Sequence, residues 1–468
     1  MLSKVWTYVS HAEHNVKLAY LFTFTFCACR SIVFEQVLSG YVFVLTKSNT
    51  PVGIVKGVQG IVQMLAAIPG GWASDHFRRD TVLKVSSVLG ICGAIFSIIA
   101  FSIGHLMLIY VAFAVWGLFF ALQGPALEAL FADSIPHGER SFPITIKSML
   151  LNTAYVIGPS ISLLFFVIYG DTWNVGGLQA VLIIGIVVGV PGLVILCFFN
   201  DDVAYENYTT QTARRSLSHV AEDGVLEYNA EAGESTTTPR NVNSEATTLL
   251  REDAPARTST ISHANTFLCF GPRHVPYLLF LADFVLCNGA GMTVSFFPVF
   301  FQHEYGLTPS QVNFLYVAQP LLIVVLTFFT QRVSITFGTI ETVVVTRVFA
   351  TLCLGAMAYA TLLPLEIALF LLRSGSMRCS EPLRTSILMD YVPQHLRGRW
   401  NSLEGLTQFT YSGSAVVGGF LIEQHGYRYC FFITAVLYAV GVAIECLLVP
   451  IIRNHNTSQR KLMVVRLS

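Results

Sequence analysis

The sequence predicts an all-α integral membrane protein, with twelve transmembrane helices in two pseudo-symmetric six-helix bundles. Three observations predict it: an apolar composition, recurring windows of membrane-spanning length, and a motif that appears once in each half. Of the residues, 53% are hydrophobic and 12% charged, half the ~25% charged content of soluble domains. A mean hydropathy of +0.61 over 468 residues would leave too much apolar surface in water. The formal net charge is zero, 28 basic against 28 acidic residues, so no electrostatic footprint for nucleic acid is present.

Crossing ~30 Å of hydrocarbon at 1.5 Å per residue takes about 20 apolar residues. Windows of that length fall at Leu18–Leu45, Val52–Trp72, Val82–Ile103, Leu106–Phe131, Phe142–Tyr169 and Leu178–Phe199. Six more follow at Val275–Phe301, Val312–Phe329, Val343–Leu363, Leu365–Met389, Ser402–Ile422 and Tyr429–Ile452. The sixth is the clearest kind, uncharged from Thr172 to Asn200, whereas the first and tenth each contain several ionised residues. With the N-terminus inside, Lys4, Lys17, Arg78, Arg79, Arg140, Arg332, Arg397, Arg399, Arg453, Arg460, Lys461 and Arg466 lie on the cytoplasmic side, against Lys47 and Arg428 opposite. Twelve against two places both termini in the cytoplasm under the positive-inside rule. No cleavable signal is expected at the N-terminus.

Between the halves, residues 200–273 are rich in Ser, Thr, Ala and Glu, with eleven acidic and six basic residues from Asp201 to Arg273. This composition predicts a disordered cytoplasmic linker between an N-terminal bundle (1–199) and a C-terminal one (274–468). Within it Glu245 to Leu250 resembles an acidic dileucine sorting signal, a pattern that arises often by chance. The ten cysteines form no C-x-x-C pair and are read as small buried apolar side chains.

The repeat lies at the ends of the fourth and tenth spans. Pro125, Asp133, Pro136 and Arg140 recur as Pro382, Asp390, Pro393 and Arg397 at a constant offset of 257. Parallel six-helix repeats of this kind characterise one large class of secondary transporters. Between spans two and three, Gly71, Asp75 and Arg79 fit the pattern G-x-x-x-D-R/K-x-G-R-R/K, with His76, Arg78 and Asp80 departing from it. On these motifs the chain resembles the major facilitator superfamily along all but its linker. The D-x-x-P-x-x-x-R repeat resembles that of the family's sugar-porter branch. Gly158-Pro159 resembles part of its antiporter motif, in which Ala154, Ser162 and Leu163 stand in place of glycines.

The resemblance implies a cytoplasmic gate made of Gly71, Asp75, Arg79, Asp133, Arg140, Asp390 and Arg397. In an outward-facing state Gly71 would let helices pack closely. Asp75 would face the positive N-terminal end of span eleven, and Arg79 would pair with Asp133. The plainer alternative is that Arg78 and Arg79 are topology signals.

Charges also stand where hydrocarbon should be. Arg30 and Glu35 fall in span one, Glu128 in four, Asp283 in seven, and Arg373, Arg378, Glu381 and Arg384 in ten. Each costs roughly 2.5–3.5 kcal/mol at a helix centre, so such residues normally face protein or an aqueous cavity. These four spans line the central cavity in the resembled fold; Lys147, Arg347 and Glu445 are exceptions. Helical spacing puts Cys27, Ser31, Glu35 and Ser39 in one row, and Asp283, Cys287, Gly291 and Ser295 in another with Asn288 alongside. The expected substrate or proton pathway is therefore Arg30, Glu35, Asp283, Asn288, Arg373, Arg378 and Glu381. An arginine would contact an anionic or polar group, and Glu35 or Asp283 would carry a coupling proton. The alternative is that these charges are structural ion pairs.

The function expected is a proton-coupled secondary transporter of a small organic solute, a monomer working by alternating access in the lipid bilayer of the plasma membrane or an endosomal or lysosomal membrane. Efflux of mixed hydrophobic compounds is the nearest variant, and a non-transporting receptor or scaffold is a different class. No ATP-binding loop, clustered nucleophile or metal set is present in the sequence, so neither an enzyme nor a cofactor is expected.

Overall fold

The structure is a computed structural model that describes residues 12–135, 141–204, 271–392 and 397–453. The N-terminal half contains α1 (His14–Val33), α2 (Gln36–Thr46), α3 (Thr50–His76), α4 (Arg79–Ile103), α5 (Leu106–Asp133), α6 (Ser141–Tyr169) and α7 (Val175–Ile195). The C-terminal half contains α8 (Val275–Val294), α9 (Phe297–Tyr305), α10 (Pro309–Phe337), α11 (Thr339–Met357) and α12 (Leu363–Arg378), then α13 (Glu381–Tyr391), α14 (Arg397–His425) and α15 (Tyr427–Cys446). The predicted first, seventh and tenth spans are each two helices in line, α1–α2, α8–α9 and α12–α13. Among the described residues, ten segments are long and apolar enough to cross a membrane, including the charged first span as His14–Thr46. The two others are the interrupted, arginine-rich α12–α13 and the polar-starting α14.

Two of the interruptions follow from proline. Pro298 and Pro382 lack the N–H that would bond the carbonyl four residues back, and their rings crowd that carbonyl. The helices therefore stop at Val294 and Arg378 and restart at Phe297 and Glu381. Pro125, the repeat partner of Pro382, sits inside an unbroken α5. The duplicated prolines thus have different structural consequences.

The start of α1 and the last helical turns lie at one end, the termini face, and the opposite end is the far face. On the termini face Asn15 bonds Ser134 Oγ (3.2 Å) and the Asn200 carbonyl (2.7 Å), and Arg78 pairs with Asp202 (2.8 Å). Asn200 to Ala204, assigned to the linker by composition, thus rest on the N-terminal bundle; residues 205–270 lie outside the described ones. Of the described cysteines, Cys27, Cys29, Cys353, Cys379 and Cys430 are buried, but Cys197 and Cys446 are exposed.

Aromatic rings fill the N-terminal core. Phe26 of α1 and Phe34 just after it meet Trp116 and Phe120 of α5, and Phe26 also meets Phe119. Trp116 donates its indole N–H to Ser97 Oγ at 2.9 Å, which satisfies its one polar atom. The halves meet along two seams, α3 against α14 and α6 against α10. In the first seam Gly53, Gly57 and Gly60 face Ala415, Val416 and Ser412, so backbones approach as small residues allow. Span eleven's small residues pack too, Gly418 against Met292 and Gly419 against Asn49.

Gly291 of α8 leaves no room for a methyl group, because a Cβ there would run into the Tyr411 carbonyl and Ser414 Oγ of α14. Overpacking of this sort costs about 1–3 kcal/mol. Gly291→Ala is therefore expected to lower the melting temperature of the detergent-purified protein. An unchanged melting temperature would show that α14 can move aside at no cost.

Candidate functional site

The site begins at a break in α1. The Phe34 N–H still bonds the Arg30 carbonyl at 3.0 Å, but Glu35 leaves the helical region (φ −110°, ψ −124°) and α2 resumes at Gln36. The freed Phe34 carbonyl accepts from Lys56 Nζ of α3. In a membrane such a carbonyl needs a donor, and a lysine supplies one together with a charge. Glu35 is half-buried within electrostatic reach of both Lys56 and Arg30. Lys56 was not among the residues expected from the sequence. Its distance from any motif hid it, although a lysine inside an apolar window is the same kind of signal that marked Arg30.

Arg30 lies over the Phe120 ring, its guanidinium carbon 5.3 Å from the centroid. This contact forms the inner wall of a cavity of about 680 Å³ between α1, α3, α5 and α6. Gln59, Gln63 and Gln123 add amides, Phe22, Phe26 and Phe131 add apolar surface, and the lining reaches Ile135 and Ile144 towards the termini face. Glu128 and Lys147, also in the lining, pair at 2.6 Å, and Lys147 lies 4.7 Å from the Phe131 ring centre. Phe120 is thus a cavity residue, while Trp116 and Phe119 are core.

Across the interface the predicted arginines behave differently. Arg373 is 4% exposed; its Nη2 donates to Tyr438 Oη at 2.6 Å and its guanidinium lies 5.1 Å from the Phe297 ring. Arg378, the last residue of α12, is exposed and forms no ion pair among the described residues. Tyr155 of α6 is within electrostatic reach of Arg30, Glu35 and Arg378, and Tyr411 of α14 is within reach of Glu35, Arg378 and Arg373. Arg30, Glu35, Lys56 and Arg378 therefore share one centre between the halves.

Asp283 and Glu381 fall elsewhere, with two of the three exceptions, Arg347 and Glu445; the third, Lys147, is the cavity residue paired with Glu128. Asp283 pairs with Arg347 (3.4 Å) and Arg384, Arg347 pairs with Glu445 and Glu381 (3.7 Å), and Arg384 pairs with Glu381 (2.9 Å). This network joins α8, α11, α13 and α15 inside the C-terminal half. Glu381, spaced to reach either Arg378 or Arg384, takes Arg384. Asn288 bonds the Phe284 carbonyl of its own helix at 2.8 Å.

At the termini face Arg79 pairs with Asp133, tying the start of α4 to the end of α5 within one half. The close approach of Gly71 is expected of an outward-facing state; in this structure, joined at the far face, a Cβ there would meet nothing within 4 Å. The neighbouring Gly70 approaches closely here, where a Cβ would lie 2.8 Å from the Ala121 carbonyl. The motif's register places Gly70, not Gly71, on the α3 face that meets α5. Arg140 and the side chains of Asp75, Asp390 and Arg397 lie outside the described residues.

Among the described residues, the hydrogen bonds that join the halves are on the far face, and no motif marks them. Gln36 donates to Asn313 Oδ1 (3.0 Å), Trp173 donates to the Leu307 carbonyl (2.7 Å), and Glu423 accepts from the Asn49 N–H (2.7 Å) and Ser48 Oγ (3.1 Å). Tyr427 donates to Asn49 Oδ1 at 2.9 Å. Asp171 accepts from the Ser310 N–H at 2.8 Å and from Ser310 Oγ. Partial burial pushes the Asp171 carboxyl up, but the bonds from Ser310 and Thr308 outweigh it and hold it below the ordinary aspartate value.

The two charge sets should respond differently to mutation. Glu445 is fully buried on Arg347, and removing one member of such a pair costs about 3–5 kcal/mol. Glu445→Gln is expected to lower the melting temperature sharply, and Arg378→Gln to leave it unchanged. Equal losses in both would show that Arg378 also holds the fold together.

Comparison with known proteins agrees with this architecture. The family model described as Major Facilitator Superfamily matches residues 19–269 and 279–463. No curated protein matches the sequence. A bacterial homologue of the iron transporter ferroportin, solved in an inward-facing state, has TM-score 0.64 and 12% identity, with 92% of this chain and 98% of that one covered. A bacterial homologue of the human lysosomal transporter Spinster, inward-facing and unoccupied, has TM-score 0.62 and 14% identity, with coverage of 95% and 97%. The nucleoside transporter NupG has TM-score 0.61 and 14% identity, with coverage of 93% and 99%. At these identities the likeness shows the fold, and together with the family match it supports one conclusion: the chain belongs to the major facilitator superfamily of membrane transporters.

Proposed function

We propose that the protein is a proton-coupled secondary carrier of a small organic anion with an apolar body, working by alternating access between its two halves. The observation that carries this reading is the charged centre. Among the described residues, Arg30, Lys56 and Arg378 stand against the carboxylate of Glu35, so the centre has room for a further negative charge. The neighbouring cavity supplies aromatic surface for the rest of the molecule.

In this state the far-face bonds hold the halves together and the cavity runs towards the termini face. The bias of lysine and arginine puts that face in the cytoplasm, with the plasma membrane or an endosomal or lysosomal membrane around the chain. An anion that engages Arg30 and Lys56 leaves Glu35 without its cations. A proton on Glu35 restores charge balance, so anion and proton would cross together. Asp283, placed among arginines in the C-terminal half, is assigned a structural role instead, and Arg79 with Asp133 is assigned to the gate region.

Uptake of a panel of radiolabelled aromatic and aliphatic carboxylates into proteoliposomes, with the pH set on each side, tests the reading. Arg378→Ala should reduce uptake about tenfold or more, equivalent to ~1.4 kcal/mol of lost binding. Glu35→Gln should abolish the response to a pH gradient while leaving solute exchange. Full, gradient-driven activity in both variants would contradict the assignment.

A further inference from the structure

A second ionisable group stands apart from the charged centre, near the far face. Glu366 lies in the first turn of α12, a helix whose N-cap carries no side-chain hydrogen bond. It is 0% exposed, and neither carboxyl oxygen has a hydrogen-bond partner among the described residues. Glu366, Phe370 and Arg373 share a face of α12. Phe370 packs on Phe297 and Phe301 of α9 and on Tyr316 of α10. The carboxyl group is therefore one turn nearer the far face than an aromatic cluster and points into the same packed layer.

The charged and titratable groups around it are accounted for. Arg428, at the start of α15, is the cation that acts on Glu366. Its guanidinium is committed elsewhere, to the Ala360 carbonyl and the Met357 carbonyl (3.5 Å) at the end of α11 and to Tyr305 Oη (3.2 Å) of α9. His303 and Glu304 of α9 pair with each other at 3.7 Å on exposed surface. Tyr316 is the titratable group of α10 at this level. Arg373, two turns along α12, holds Tyr438, and Arg347 of α11 belongs to the ion-pair network. An ionised carboxylate buried without a donor costs several kcal/mol, and such a group takes a proton instead.

We propose that Glu366 is a proton-binding site of the far face: it carries a proton while the halves are joined there and releases it to far-side water when they part. Its surroundings fit the second half of that cycle. The connection just before α12 exposes Tyr359 (75%) and Leu362 (68%), so Glu366 lies about one helical turn, ~5 Å, below the surface. The α9 helix packed over this layer also contacts α2 of the other half, so parting of the halves at that face removes a support of α9 and frees it to move off the layer. The sign follows from the ionised form being stable only when wet: acid on the far side favours the closed far face, and alkali favours its opening.

The test uses the full chain in lipid nanodiscs and needs no solute or gradient, so its outcome is independent of the transport assay above. Infrared spectra across a pH series should show the carbonyl band of a neutral carboxylic acid in a dry site, absent in Glu366→Gln. Hydrogen exchange of residues 170–176 and 305–313, corrected for the intrinsic effect of pH, should rise in the wild type as pH increases. Glu366→Gln should lose that rise, and Glu366→Asp should keep it. A Gln variant that retains both the band and the rise overturns the proposal. Should the Gln variant not fold, the wild type decides alone: far-face exchange that does not change with pH overturns it equally.

Discussion

Hydrocarbon solvates neither ions nor free backbone carbonyls, and the architecture of this protein is largely a response to that constraint. Its intramembrane charges are handled in two ways. Asp283, Arg347, Glu381, Arg384 and Glu445 pair with one another inside the C-terminal half and tie four helices together. Arg30, Glu35, Lys56 and Arg378 collect where the two halves meet, beside a cavity large enough for a small solute. The first set stabilises one bundle, whereas the second has little to gain from permanent pairing and is suited to an exchangeable ligand. A protein of this kind needs both, because the halves must stay rigid while the interface between them changes.

Broken helices connect the two arrangements. The break at Glu35 frees a carbonyl that Lys56 covers, which draws a cation into the centre. The break after Arg378 leaves that arginine at a helix end, where its side chain is exposed instead of stacked like Arg373. Proline explains the second break and not the first. At Glu35 no proline is present, and the non-helical backbone is matched by the lysine opposite it.

Much of the fold was legible in the sequence because lipid imposes a simple rule on composition, and apolar windows locate helices directly. The concentration of charge in spans one and ten was also legible. What escaped was pairing over long separations. Nothing near Arg347 or Glu445 marks them as partners of Asp283, and they stood out only as exceptions. The far-face contacts link residues such as Trp173 with Leu307 and Asn49 with Tyr427, ordinary loop and helix-end residues whose meeting depends on the docking of the two halves. The motif after span two does not show that in this state helical register turns the neighbouring Gly70 towards α5.

The account rests on the interfacial charges lining a water-filled passage that opens at the termini face. Single cysteines placed at Arg378, at Gln63 in the cavity and at the outward-facing Val436, in a background without native cysteines, test this directly with a membrane-impermeant maleimide. The account predicts labelling of positions 378 and 63 from the termini side and none at 436. Positions 378 and 63 as unreactive as 436 would contradict it.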